Sequence, residues 1–160
     1  MTATGHAVIG VVIAATIPNP VIAIPLAVGS HVLADLFPHW DAGTNRNKKS
    51  KDRFAMEAVA DVILSLAITF FMVIYLFPQT SLMYAYICVF AAQFFDWASA
   101  PYLFLKIKHP SIFEWFYNLQ KHFDNRLDRP WGLIGQITFL ILLVGIALVS
   151  LGAQVAIATP

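Results

Sequence analysis

A helix needs roughly 20 residues to cross a bilayer, and three apolar runs reach that length, at about 54–77, 80–105 and 132–156. Only the short turn "PQT" separates the first two, which predicts an antiparallel pair. The N-terminal part is apolar over 3–16 and 20–37, but "IPNP" at 17–20 interrupts it. Proline lacks a backbone donor and restricts the residue before it, so a turn is predicted there. The first arm is short for a full crossing, so the pattern predicts a tight helical hairpin, re-entrant or thin and tilted. Any irregular backbone at that depth must be sheltered by other helices. A last element is predicted after Pro110, where Ser111 and Glu114 read as a capping box. Its stripe of Ile112, Phe116, Leu119 and Phe123 suits an amphipathic helix at the membrane surface, and packing on the protein itself suits it equally. The expected fold is all-α: a polytopic integral membrane bundle in one domain, 1–160.

Composition supports lipid as the solvent. A soluble domain is about half apolar and a quarter charged, whereas this chain is 59% hydrophobic and 12% charged. Cys88 is the only cysteine, which excludes an intramolecular disulfide and a thiol-rich metal site. The first basic residue is Arg46, so the opening apolar stretch lacks the basic start of a signal peptide and is expected to be retained.

Charge placement predicts orientation. Of the ten Lys and Arg residues, Arg46, Lys48, Lys49, Lys51 and Arg53 fall between the hairpin and the 54–77 run. The rest, Lys106, Lys108, Lys121, Arg126 and Arg129, fall between the second and third long runs. One helical pair separates the two segments, so both face one side, and the positive-inside rule makes that side cytoplasmic. Residues 42–53 and 106–130 are thus expected inside and Pro160 outside.

Against this background, "HVLADLFPHWD" at 31–41 is anomalous. It places His31, Asp35, His39 and Asp41 at the end of a run from Ala7 to Leu33 without Lys, Arg, Asp or Glu. On a helix, residues four apart share a face, but Pro38 predicts a helix end near Phe37, leaving His39 and Asp41 just beyond it. At 1.5 Å per residue, His31 lies about 9 Å inside that end, and Asp61 and Asp96 roughly 12–15 Å inside the basic rim. His6 and His122 fall on the same side. A carboxylate in hydrocarbon costs about 2.5–3.5 kcal/mol on insertion scales, and these helices contain no Lys or Arg to neutralise it. A bound cation would. Mixed imidazole and carboxylate ligands suit zinc, or manganese or iron. The candidate metal ligands are His6, His31, Asp35, His39, Asp61, Asp96 and His122. His109 and the four tryptophans, Trp40, Trp97, Trp115 and Trp131, read as a bystander and as interfacial anchors.

"HVLADLFPHWDAG" resembles the H-x3-D-x3-P-x-H signature of the zinc-dependent phospholipase C and P1-type nuclease superfamily, in which the His, Asp and His bind metals in an all-helical fold. Here Pro38 directly precedes His39, one residue short of that pattern, so His39 or Asp41 could take the last role. The layout also resembles the YdjM-like group of predicted inner-membrane metal-dependent hydrolases, through Gly5-His6 and the Asp35 to Asp41 motif. The group's "HRGxxH" element is absent, and "HFDNRLDRPWG" at 122–132 stands in its place. The resemblance implies a multi-pass inner-membrane hydrolase acting at the cytoplasmic leaflet on a phospholipid or other lipid phosphoester. Asp41 or Asp96 would be its general base. Arg46, Lys48, Lys49 and Lys51 would hold the phosphate. No nucleic-acid partner is expected; a homo-oligomer is compatible. An ion- or proton-coupled transporter is the main alternative, but Phe77–Phe95 and Leu133–Pro160 contain no Asp, Glu, Lys, Arg or His to continue a path. A structural membrane protein stabilised by its metal is the other.

Overall fold

The computed structural model describes residues 1–158, so Pro160 and its expected side lie outside the described residues. The fold is all-α, with seven α-helices and no strand among the described residues: α1 Ala3–Thr16, α2 Pro20–Leu36, α3 Lys51–Phe71, α4 Leu82–Ala92, α5 Phe94–Leu105, α6 Ile112–Gln120 and α7 Trp131–Ala158. A π turn, Met72–Leu76, extends α3. The spans Lys51–Leu76 and Trp131–Ala153 are long and apolar enough to cross a membrane, and α4 with α5 makes a third if counted as one bent span.

The N-terminal hairpin forms as the prolines predict. Asn19 caps α2, with its side chain accepting from Val21 N, and Pro20 opens the helix where its missing N–H costs nothing. The helix stops at Leu36, and Phe37 ahead of Pro38 is extended. What the pattern could not indicate is that α1 is the centre of the bundle. It packs against α2, α3, α4 and α7, with Ala7 and Val11 fully buried. Gly10 explains the close approach of α4, since a Cβ there would lie 2.8 Å from Val89 Cα. Small residues at helix contacts are how membrane bundles gain packing without a hydrophobic drive. The apolar faces of α3 and α7 point outward, with Ile63 and Ile141 more than half exposed.

Two expectations need correction. The run 80–105 is not one straight helix: α4 and α5 meet at Gln93 with a 56° bend. Gln93 is buried there and donates to Ala3 O at 2.9 Å and to Ser65 Oγ at 3.1 Å, so its polar side chain is satisfied between helices. The capping box at the start of α6 also does not form. Ser111 is helical and makes no cap bond, while Glu114 accepts from Tyr102 Oη at 3.1 Å. The stripe of α6 is partly turned inward: Phe116 packs edge-on to Phe94 and Phe95 of α5, while Ile112 and Trp115 stay exposed.

Candidate metal centre

The site lies where α1, α2 and α5 converge near the loop side of the bundle. His6 is fixed by the capping of α1. Thr2 Oγ1 accepts from Gly5 N at 3.0 Å. Asp61 of α3 takes the next orphan donors, Ala3 N at 2.6 Å and Thr4 N at 3.1 Å, and Thr4 Oγ1 at 2.7 Å. His31 is held through the end of α4. Ala92 ends α4, so its carbonyl is among those a helix leaves without an intrahelical partner, and His31 Nδ1 donates to it at 2.7 Å. His39 is anchored in the same manner beyond α2, its Nδ1 donating to Phe37 O at 2.8 Å.

With both Nδ1 atoms donating, the Nε2 atoms of His31 and His39 are left to carry lone pairs. They point at carboxylates. His31 Nε2 lies 3.3 Å from Asp35 Oδ2 and 3.9 Å from Asp96 Oδ1. His39 Nε2 lies 3.4 Å from Asp124 Oδ1 and 3.9 Å from Asp35 Oδ1. His6 stacks on His31 with ring centroids 3.9 Å apart, and its Nε2 lies 3.2 Å from Asp35 Oδ1. All three imidazoles are fully buried. Among the described residues, neither nitrogen of His6 has a hydrogen-bond partner, nor has His31 Nε2 or Asp124 Oδ1.

A lone pair facing a carboxylate oxygen without a proton or cation between them is repulsive. Protonating both His6 and His31 would set two like charges in stacked, buried rings. Divalent cations satisfy the same atoms without that conflict, and a backbone carbonyl fixing the far nitrogen of each ring is the usual support for a metal-binding histidine. One ligand atom each from His6, His31 and Asp96 lies within 4.8 Å of the others, and the same holds for His39, Asp41 and Asp124. These two groups could each hold a metal ion. Asp35 lies between them, and the Met1 amino group, in contact with Asp35 Oδ1 and 2.8 Å from His39 Nε2, occupies that position as a positive charge.

Supporting contacts orient the carboxylates. Gln120 of α6 donates to Asp96 Oδ1 at 3.1 Å. Arg126 donates from Nε to Asp41 at 3.2 Å and from Nη2 to Asp124 at 2.6 Å. Thr44 Oγ1 donates to Asp41 Oδ1 at 2.9 Å. Backbone bonds fasten the segment carrying Asp124 to the motif: Asn125 N to Asp35 O at 2.9 Å, His39 N to Asn125 O at 3.2 Å and Leu127 N to His39 O at 2.7 Å. Gly43 is where the guanidinium passes, and a Cβ there would lie 2.6 Å from Arg126 Cζ.

Of the residues chosen from sequence, His6, His31, Asp35, His39, Asp41 and Asp96 are brought together. Asp61 and His122 are in neither group. Asp61 anchors α1, because orphan N–H groups at a helix start neutralise a carboxylate as a metal would. His122 is exposed and donates from Nδ1 to the Asn118 carbonyl at 3.0 Å. The basic loop points elsewhere too. Lys49 bonds Glu57 at 2.6 Å, Arg46 lies over the Phe54 ring at 4.4 Å, and Lys48 lines a separate surface hollow with Arg129, while Lys51 is exposed. Trp97 donates to Gln93 Oε1 at 3.2 Å. Sequence reasoning misses Asp124, Arg126 and Gln120; the nearest signal was an Asp and an Arg two residues apart beside the chosen His122. No family model, curated protein or solved structure matches the chain.

Proposed function

We propose that the protein is a membrane-embedded, metal-dependent hydrolase acting on a phospholipid or other lipid phosphoester. The observation carrying this reading is the pair of acid–histidine groups on either side of Asp35: among the described residues, buried nitrogens of His6 and His31 in the first and Asp124 Oδ1 in the second have no hydrogen-bond partner. The layout's similarity to the YdjM-like group agrees with it. The groups would take divalent metals, zinc first on ligand type and manganese or iron next. Metals bound there would supply Lewis acidity and an activated water.

The chain's own residues would do the rest. Asp35 serves both groups. Asp96, kept in place by Gln120 and partly open to the adjoining cleft, is placed to accept a proton from water. Asp41 is the other candidate base, although its bonds to Arg126 and Thr44 commit it to the loop group. Arg126, rather than the basic loop, is the cation beside the site, and its guanidinium offers a fork for phosphate oxygens. Orientation follows the charge bias, with the site at the cytoplasmic leaflet of the inner membrane.

The test is elemental analysis of gently purified protein together with a hydrolysis screen on phospholipids. Stoichiometric zinc, manganese or iron and a cleaved lipid are expected, and Asp96→Asn should abolish cleavage with little change in expression. Full activity in that variant would remove Asp96 from the site. Wild-type protein without stoichiometric metal would end the reading. The Arg126 tie between two loops favours one alternative, a structural protein with metal as a staple, which predicts bound metal and no cleavage.

A further inference from the structure

Beside the metal centre, a cavity of about 170 Å3 runs between α3 and α5, with Asp96 and Arg126 among its lining residues. Its shape follows from helix register. Phe54 of α3 and Phe104 of α5 stack at 5.1 Å near the loop end of both helices. One turn deeper on the same faces, i+4 along α3 and i−4 along α5, stand Ala58 and Ala100. Two methyl groups replace two rings there, and the gap between the helices opens. One turn deeper again come Val62 and Asp96. The aromatic stack thus narrows the gap between α3 and α5 toward their loop ends, with Arg46 over Phe54, while Trp97 and Phe104 at the flank are 41% and 40% exposed.

A cavity of this size is smaller than the roughly 300–1,000 Å3 that encloses a whole drug-sized ligand. It has room for the reacting end of a molecule whose remainder stays outside, and what lies outside the flank of α3 and α5 is apolar surface such as Val59 and Leu105. At the polar end Arg126 makes three contacts, with Asp41, Asp124 and Gly43 O, and its guanidinium has five N–H donors, so donors remain for an anion.

We propose that a single-chain or single-tailed phosphate amphiphile enters sideways from the lipid through the gap at Ala58 and Ala100. Its phosphate goes in first, toward Arg126 and Asp96, while most of the chain remains in the bilayer. This rests on the hydrolase reading for its purpose, but not for its test.

The test measures cysteine labelling in phosphatidylcholine vesicles. Ala100→Cys reports on the cleft and Ile137→Cys, on the outward face of α7, reports on lipid; Cys88 is buried and replaced by Ala in both. An N-alkylmaleimide is the label and dodecyl phosphate the competing ligand. Dodecyl phosphate should slow labelling of Ala100→Cys about tenfold, the effect of roughly 1.4 kcal/mol of binding, and leave Ile137→Cys unchanged. Equal protection by inorganic phosphate would mean a free anion arriving from water and overturn the proposal. Equal protection by dodecanol would show that the head is not recognised and overturn it as well, as would no protection at all. Filling the gap with Ala58→Trp should slow labelling of Ala100→Cys without any ligand. Ala58→Leu should do so to a smaller degree and serves if the larger residue prevents folding; an unchanged rate in a folded variant removes the route. Labelling needs no turnover, so a protein that protects but cleaves nothing keeps the cleft and loses the hydrolase reading. One that cleaves lipid without protection does the reverse.

Discussion

The His6/His31/Asp96 group and the His39/Asp41/Asp124 group flank the same Asp35 and offer similar ligands, but they are assembled differently. Each residue of the first stands on a helix, α1, α2 or α5, and its backbone is fixed by packing and by capping of α1. Each residue of the second stands on a loop: 37–41 past the end of α2, or 121–127 past the end of α6. That second group is held by three backbone bonds and one guanidinium. Side chains on rigid elements hold a geometry more closely than side chains on loops. The two halves of one centre should therefore differ in how far a distant change disturbs them.

The largest effect is expected where the halves meet. Asp35→Ala removes the carboxylate that His6, His31 and His39 all face, and breaking such a buried arrangement costs about 3–5 kcal/mol. Elemental analysis should find neither group occupied, and thermal unfolding should shift strongly downward. Retention of one full metal equivalent would show that Asp35 belongs to a single group.

Next is Arg126→Ala, which touches only the loop-built half. Outer contacts to metal ligands are worth about 10–100-fold in metal affinity, and the exposed ion pairs themselves about 0–1 kcal/mol of stability. A chelator competition titration should show one of two affinities falling by about tenfold while the other holds. Parallel loss at both would make the centre one coupled unit and erase the distinction drawn above.

The same distinction governs what could be read from sequence. Residues four apart on α2 announced His31 and Asp35, and counting turns from the basic rim put Asp96 at their depth. Those are properties of regular helices, and the helix-built group was legible for that reason. His39 was legible from its spacing and from the motif it resembles, although the helix that would have aligned it ends at Leu36. Asp124 was legible as a carboxylate on the side of the site but not as a member of it: backbone bonds from Asn125 and Leu127 deliver it, and a backbone bond leaves no mark in side-chain pattern. Depth counting also misplaced Asp61, because it gives distance along an axis but not the face. Asp61 faces the first N–H groups of α1. The bend at Gln93 escaped notice because no Pro or Gly marks it.

Asp61→Asn sharpens that last point with a smaller effect. The amide keeps an acceptor for the α1 donors but loses the charge, and losing a helix cap typically costs about 0.5–2 kcal/mol. We expect a modest fall in thermal stability with unchanged metal content. Loss of metal in this variant would restore Asp61 as a ligand and undo the assignment of both groups to α1, α2, α5 and the loops.

The smallest effect tests the outer fastening of the loop-built half. Asp128 is exposed and accepts from Arg129 N at 2.7 Å and from Asn45 Nδ2 at 2.6 Å, tying the 42–50 loop to the segment after Arg126. The backbone bond first, and then the Asn45 bond, hold its carboxyl below the usual carboxylate range. A group whose folded value is depressed contributes stability above its unfolded value, near 3.9 for Asp, and loses it as pH falls through the folded value. Wild type should therefore be slightly more stable than Asp128→Asn at neutral pH, and the gap should close as pH drops below about 4. Every other titrating group is common to both proteins, so the difference between the two unfolding curves is what reports on Asp128. A gap that stays constant with pH would mean that the tie acts through shape alone, and a gap that widens in acid would mean that the charge at Asp128 opposes the loop rather than fastening it.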